Sequence, residues 1–182
     1  MDFSKELYEL DQMQQIYATL FSLANKVQII GDSYLEKLTS RQFMTMLAVL
    51  HLPENKATIN NISKKLGTSK QNTKQLVNSI EKKGYVRVSP NATDKRALNV
   101  SVTESGLNVM NECGKIGVQF MADLFHEFSA EELVLLKGLL LKLYMFDGQP
   151  IDGFEEDISR KTEVLSEDQF ITLQEFSKRR NK

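Results

Sequence analysis

The chain has 182 residues, a formal net charge of −1, 41% hydrophobic and 26% charged residues, and one cysteine. That length buries a core without covalent staples, as one domain or one domain with an appendage, and a lone cysteine excludes an intrachain disulfide and fits a reducing compartment. The N-terminal MDFSKELYELDQ is acidic and amphipathic rather than a secretory leader, and the apolar run LVLLKGLLLKLYMF is broken by Lys137 and Lys142, which excludes a membrane span. The expected location is the cytoplasm, with no membrane partner.

Residues 5–37 predict a long helix, because Leu7, Leu10, Met13, Tyr17, Leu20, Phe21, Ala24 and Val27 recur at steps of three and four. Residues 40–52 predict a second helix, with Thr39 or Ser40 as its N-cap and Pro53 just beyond its end. It is apolar nearly all round and should be central and buried. Ile59, Ile62 and Leu66 then mark a short helix that Gly67 stops. Thr68 and Ser69 offer the next N-cap, and Thr73, Leu76, Val77 and Ile80 form the core face of a helix ending at Gly84. Two short helices joined by a glycine-containing turn make a helix-turn-helix.

Beyond it, YVRVS favours a strand, PNATD a loop, and ALNVSV a half-buried strand with Leu98, Val100 and Val102 on one face. The pair is a hairpin with a charged tip. Thr103 is the expected N-cap of a helix over 104–126, weakened by Gly114 and Gly117. Ser129 and Glu132 form a capping box for a helix over 130–146, whose apolar surface exceeds what one neighbour covers and so invites self-association. After DGQPIDG the composition shifts. Residues 154–161 are charged and loosely patterned. Ser166 and Gln169 then start a short accessory helix bearing Phe170, Leu173 and Phe176 and ending in KRRNK.

The near-zero net charge hides an uneven distribution. Residues 54–100 hold ten Lys and Arg against three Asp and Glu, a net +7, while residues 1–53, 101–148 and 149–182 carry −2, −4 and −2. A solvated basic face is the bland explanation; a nucleic-acid surface is the specific one. The order of elements favours the second. A helix-turn-helix followed by a hairpin is a winged helix, whose second helix enters the major groove while the wing follows the backbone or the minor groove. Lys70, Gln71, Asn72, Lys74, Gln75 and Asn78 are the side-chain types that read base edges, and Thr68 and Ser69 sit at a helix N-terminus suited to phosphate. At the wing, Asp94 and Arg96 lie two apart, so on an extended segment Asp94 can hold and aim the Arg96 guanidinium toward a narrow minor groove, with Lys95 on phosphate. A solvent-facing ion pair is the alternative there.

The run GTSKQNTKQLVNSIEKKGYVRVSPNATDKRALNVSVTESG resembles the DNA-binding half of the MarR family of bacterial transcription regulators. The family's wing carries Asp-x-Arg, a strand and Thr-x-x-Gly, matched here by Asp94, Arg96, Thr103 and Gly106, with Val102 where a leucine is usual. The resemblance covers roughly residues 5–147. It implies a homodimer built from the first and last helices, two winged helices on a palindromic operator, and a repressor released by a small ligand or by oxidation. The expected fold is mainly α: a winged helix-turn-helix over 39–103 with a two-stranded antiparallel wing, a helical dimerisation region over 1–38 and 104–147, and a C-terminal extension over 148–182. The competing function is a winged-helix module that docks a protein partner.

Catalysis finds little support. His51 and His126 sit in no nucleophile or metal-ligand pattern, and no cofactor is expected. His51, at a helix end, reads as a cap or surface residue. Cys113 reads as a small buried residue rather than a redox switch. The Met and Phe residues of 107–146 line either an effector pocket or the core and dimer interface.

Overall fold

The computed structural model describes residues 2–91, 97–148, 153–154 and 166–181. Its helices are α1 (Ser4–Tyr34), α2 (Ser40–His51), α3 (Ile59–Lys65), α4 (Lys70–Lys82), α5 (Glu104–Leu124), α6 (Ala130–Tyr144) and α7 (Glu167–Arg180). Between α4 and α5 lies a hairpin of β1 (Val86–Pro90) and β2 (Leu98–Val102). The architecture is the mainly helical winged helix expected from the sequence.

Capping chemistry sets most of the helix starts. Thr39 and Gln42 form a reciprocal capping box on α2, as do Ser129 and Glu132 on α6 and Ser166 and Gln169 on α7. Thr58, Ser69 and Thr103 accept single backbone bonds from Asn61, Asn72 and Gly106. Gly67 and Gly84 take positive φ after α3 and α4, the conformation that ends a helix without a Cβ penalty.

Several ends differ from the periodicity by a few residues. The first helix stops at Tyr34 rather than 37, because Leu35 turns extended and Leu38 drops into the core. The backbone N–H of Ser40 donates to the Asp32 carboxylate, which fixes the turn between α1 and α2. α5 and α6 each end two residues early, at Leu124 and Tyr144. Pro90, expected in the loop, is the last residue of β1 and pairs with Leu98. An edge position tolerates the missing N–H.

The core gathers Met46, Ala48 and Val49 of α2, Ile62 of α3, Val77 and Ile80 of α4, Val86 and Val100 of the hairpin, and Val109, Met110 and Cys113 of α5. α2 is therefore central, as its all-round apolar character demands. Strand register runs from Val86 opposite Val102 to Pro90 opposite Leu98. Thr58 bridges to Asn99, and the Val100 N–H donates to the Ala57 carbonyl, so the segment before α3 forms a short third edge of the sheet. Leu98 shares the alternation of Val100 and Val102 but is 47% exposed, because that end of the strand projects past the core.

The Thr-x-x-Gly spacing has a direct physical basis. Thr103 Oγ1 accepts the Gly106 N–H at 3.0 Å and donates to the Gly84 carbonyl at 2.7 Å, while the Thr103 N–H donates to the Tyr85 carbonyl. A Cβ on Gly106 would sit 2.0 Å from that same Tyr85 oxygen. Only glycine lets the first turn of α5 lie against the start of the wing.

α7 lies on α5 through polar contacts. Lys115 pairs with Asp168, Gln119 donates to Glu175, and Arg179 pairs with Asp123 at 2.5 Å. Tyr34 also donates to Asp123, which raises the phenol's pKa, chiefly through that hydrogen bond. Arg180 donates to the carbonyls of Phe125 and Phe128 and so caps the end of α5. Phe170 and Leu173, the expected apolar face of this helix, remain exposed.

Candidate nucleic-acid interface

α4 owes its placement to one apolar stripe. Thr73, Val77 and Ile80 are buried and Leu76 is half-buried, which turns the opposite face to solvent. On that face Lys70, Gln71, Lys74, Gln75 and Asn78 are all exposed, at helical spacings that align them in one row. The row carries two ammonium groups and three amides, with no carboxylate between residues 69 and 80.

Two of the expected residues are placed differently. Asn72 is half-buried and donates its side-chain amide to Thr68 Oγ1 at 3.0 Å. Thr68 and Asn72 both face a cavity behind the helix. Ser69 stays exposed at the N-cap, with its hydroxyl accepting the Asn72 N–H at 3.2 Å and its carbonyl accepting Thr73 Oγ1. Asp94, Lys95 and Arg96, together with the proposed Asp94–Arg96 pairing, lie outside the described residues.

Of the ten basic residues in 54–100, the fold withdraws two. Lys65 is buried, and Lys83 reaches back to the Lys37 carbonyl and to Gln42 Oε1, both at 2.9 Å. It adds four beyond the recognition-helix and wing residues: Lys56 before α3, Lys64 at the end of α3, Lys82 at the end of α4, and Arg87 on β1 opposite Ser101 are exposed. The +7 charge of the block pointed to them, but only the hairpin register shows that Arg87 faces outward. Asn91 at the root of the wing is buried, with its amide on the Asn55 carbonyl and its N–H on the Ala97 carbonyl.

Residues 37–97 match the model of the MarR family. Over that stretch, from α2 through β1, the chain is similar to the MarR family. Solved structures share the fold. A cysteine-to-serine mutant of MarR from E. coli in complex with operator DNA superposes with a TM-score of 0.62 at 22% identity, over 79% of this chain and 99% of that one. The S. aureus MepR–DNA complex gives 0.63 at 24% identity, over 70% and 96%. Bordetella bronchiseptica BpsR, whose DNA binding is regulated by 6-hydroxynicotinic acid, gives 0.64 at 19% identity, over 71% and 98%.

Behind the helix-turn-helix lies a cavity of about 920 Å³. Its walls are α1 (Val27, Gly31, Tyr34), α2 (Phe43, Met44), the α3–α4 turn (Lys65 to Thr68) and α5 (Gly117, Phe120, Met121). The lining is mostly apolar, with Arg41, Lys65, Tyr34, Thr68 and Asn72 among its polar groups. Cys113 borders it and is 3% exposed. Burial, then the neighbouring Glu112 carboxylate, pushes the Cys113 thiol up, which opposes formation of the reactive thiolate. His51 closes α2 and stacks edge-on against Phe154, while His126 is exposed beside the Asp123 carbonyl. Among the described residues no group of three His, Cys, Asp or Glu side chains is arranged to hold a metal, and no helix is long and apolar enough to cross a membrane.

Proposed function

We propose that the protein is a sequence-specific, double-stranded-DNA-binding transcription regulator, a repressor that occupies a palindromic operator as a homodimer in the cytoplasm. The observation that carries this is the exposed row Lys70, Gln71, Lys74, Gln75 and Asn78, held outward by the buried stripe of α4. Amides on such a row pair with adenine, and lysines donate to guanine or phosphate. Arg87, Lys64 and Lys56 extend the positive surface. In this reading Arg96, aimed by Asp94, enters the minor groove and Lys95 meets phosphate, on the strength of the sequence pattern. Ser69 and the first N–H groups of α4 meet phosphate at the helix N-terminus. Thr68 and Asn72, which bond each other, serve as the hinge between the α4 N-terminus and the cavity.

The homodimer follows from unburied apolar surface. α6 has no buried residue, and α1 buries only Gly31. Val134, Leu135, Leu139 and Leu143 on α6, and Leu7, Leu10, Met13, Tyr17 and Phe21 on α1, are exposed. Large apolar side chains left uncovered along two helices fit an obligate interface. Residues 1–38 and 104–147 then form the dimerisation region and 39–103 the DNA-binding domain. The cavity behind α4 suits a small-molecule effector, since it touches both parts. BpsR, with its regulation by 6-hydroxynicotinic acid, supports an effector in a protein of this fold.

Fluorescence anisotropy on a duplex from the gene's own upstream region tests the assignment. Binding should weaken steeply with salt, because each phosphate contact releases a counterion. Affinity that stays flat from low to high salt overturns it, and capture of an acidic protein instead of DNA favours a docking module.

A further inference from the structure

The C-terminal extension contributes two of its residues to the cavity wall. Gly153 is buried and Phe154 packs partly buried against the core cluster. The Phe154 ring meets His51 edge-on at 5.5 Å between centroids, and Lys65 Nζ lies 5.5 Å from the same ring. Lys65 Nζ donates to the Gly153 carbonyl at 2.6 Å. Lys65 itself is 5% exposed, and none of the ion pairs among the described residues includes it. A buried ammonium needs compensation. Here a carbonyl dipole and an aromatic face, both supplied by the extension, take the place of water or a carboxylate.

The location gives these contacts leverage. Lys65 is the last residue of α3, one position before the turn that leads through Gly67 into α4. His51 is the last residue of α2. The extension therefore grips the scaffold of the DNA-reading helix through Phe154, and grips α5 through Arg179 and Arg180 of α7.

We propose that Gly153 and Phe154 are a built-in cover over Lys65 at the cavity wall, and that they compete for its ammonium with an anionic small molecule whose apolar body lies in the cavity. A carboxylate would replace the Gly153 carbonyl on Lys65 with a charge-assisted hydrogen bond, and the apolar body would lie in the open cavity beside the Phe154 ring. Binding is then linked to release of the extension from the helix-turn-helix. The proposal rests on the cavity being an effector site.

Two measurements on the full chain separate the seat from the competition. Hydrogen–deuterium exchange without ligand compares the wild type with Phe154→Ala. Amides of residues 59–68 should exchange about 5- to 10-fold faster in the variant, because α3 loses its outer contact. Unchanged exchange there overturns the proposal whatever ligands do. Calorimetric titration with benzoate, and with benzamide as its uncharged counterpart, reads the competition. Phe154→Ala should bind benzoate about 5- to 10-fold more tightly than the wild type, since the cover over Lys65 is weakened. Lys65→Met, which keeps the apolar stem, should lose the preference for benzoate over benzamide, and Lys65→Arg should keep it. Equal benzoate affinity in wild type and Phe154→Ala, or a preference that survives Lys65→Met, overturns the competition. Faster exchange with no benzoate binding by any variant overturns it together with the effector role of the cavity, while intact DNA binding in the same samples keeps that failure separate from the DNA-binding assignment.

Discussion

The winged helix and the helices that flank it solve burial in opposite ways. Between α2 and β2 a single chain closes its own core, with Met46, Ile62, Val77, Ile80 and Val100 each at or near zero exposure. α1 and α6 do not: Val134 is 74% and Phe146 just beyond α6 is 84% exposed, and the large side chains of α1 line up outside. Helices of 31 and 15 residues with so little tertiary packing gain little from propensity alone. The contrast teaches that the winged helix is self-sufficient, whereas the outer helices leave apolar faces that a second copy covers in the proposed homodimer.

The largest test of that contrast is Ile80→Ala. Removing a fully buried side chain where α4 meets the core should cost about 2–5 kcal/mol in a denaturant titration and abolish DNA binding with the fold. A winged helix that tolerated it would not be self-sufficient. Leu135→Glu with Leu139→Glu should act on the other half. Two carboxylates in an apolar interface should weaken association by about 3 kcal/mol or more, read by sedimentation, with the winged-helix amides still protected from exchange. Dimers that persist would move the interface away from α6.

Gly106→Ala probes the joint between the two regions. The new Cβ meets the Tyr85 carbonyl oxygen, so α5 must shift, at about 1–3 kcal/mol. Loss of operator affinity beyond the loss of stability would show that the joint sets the spacing of the two reading helices. Gln71→Ala is narrower still. It should cost about 1–3 kcal/mol at one base-pair position and little elsewhere, as measured on a panel of substituted duplexes. A uniform loss across the panel would make Gln71 a backbone contact.

The smallest effect concerns pH. Burial holds the Cys113 thiol above its ordinary range, so the folded state favours the protonated form. Its contribution is complete below the pKa of an unfolded thiol and declines as pH rises through the folded value. Denaturation of wild type and Cys113→Ala should therefore run parallel at neutral pH and converge or cross only in the alkaline range. Divergence near neutrality would mean the thiolate is accessible and would reopen a redox role.

The sequence was enough to place the helices, because caps and glycines are local signals. Thr39, Ser129 and Ser166 with their partners three residues on, and Gly67 and Gly84 after α3 and α4, act within one turn of the backbone. It was enough for the exposed row on α4 too, since a buried stripe at helical spacing dictates the opposite face. Ends drifted where the deciding contact is distant, as with Asp32 on Ser40 or Ala97 on Asn91. The tertiary structure alone decided which of the eight described basic residues in 54–100 face outward. Lys65 and Lys83 look like DNA-binding lysines in the chain, yet one meets Gly153 from 88 residues away and the other Lys37 from 46. It also decided that the extension docks through its charges while Phe170 and Leu173 stay exposed, because partners on α5 more than 50 residues away leave no periodic trace in the helix that finds them.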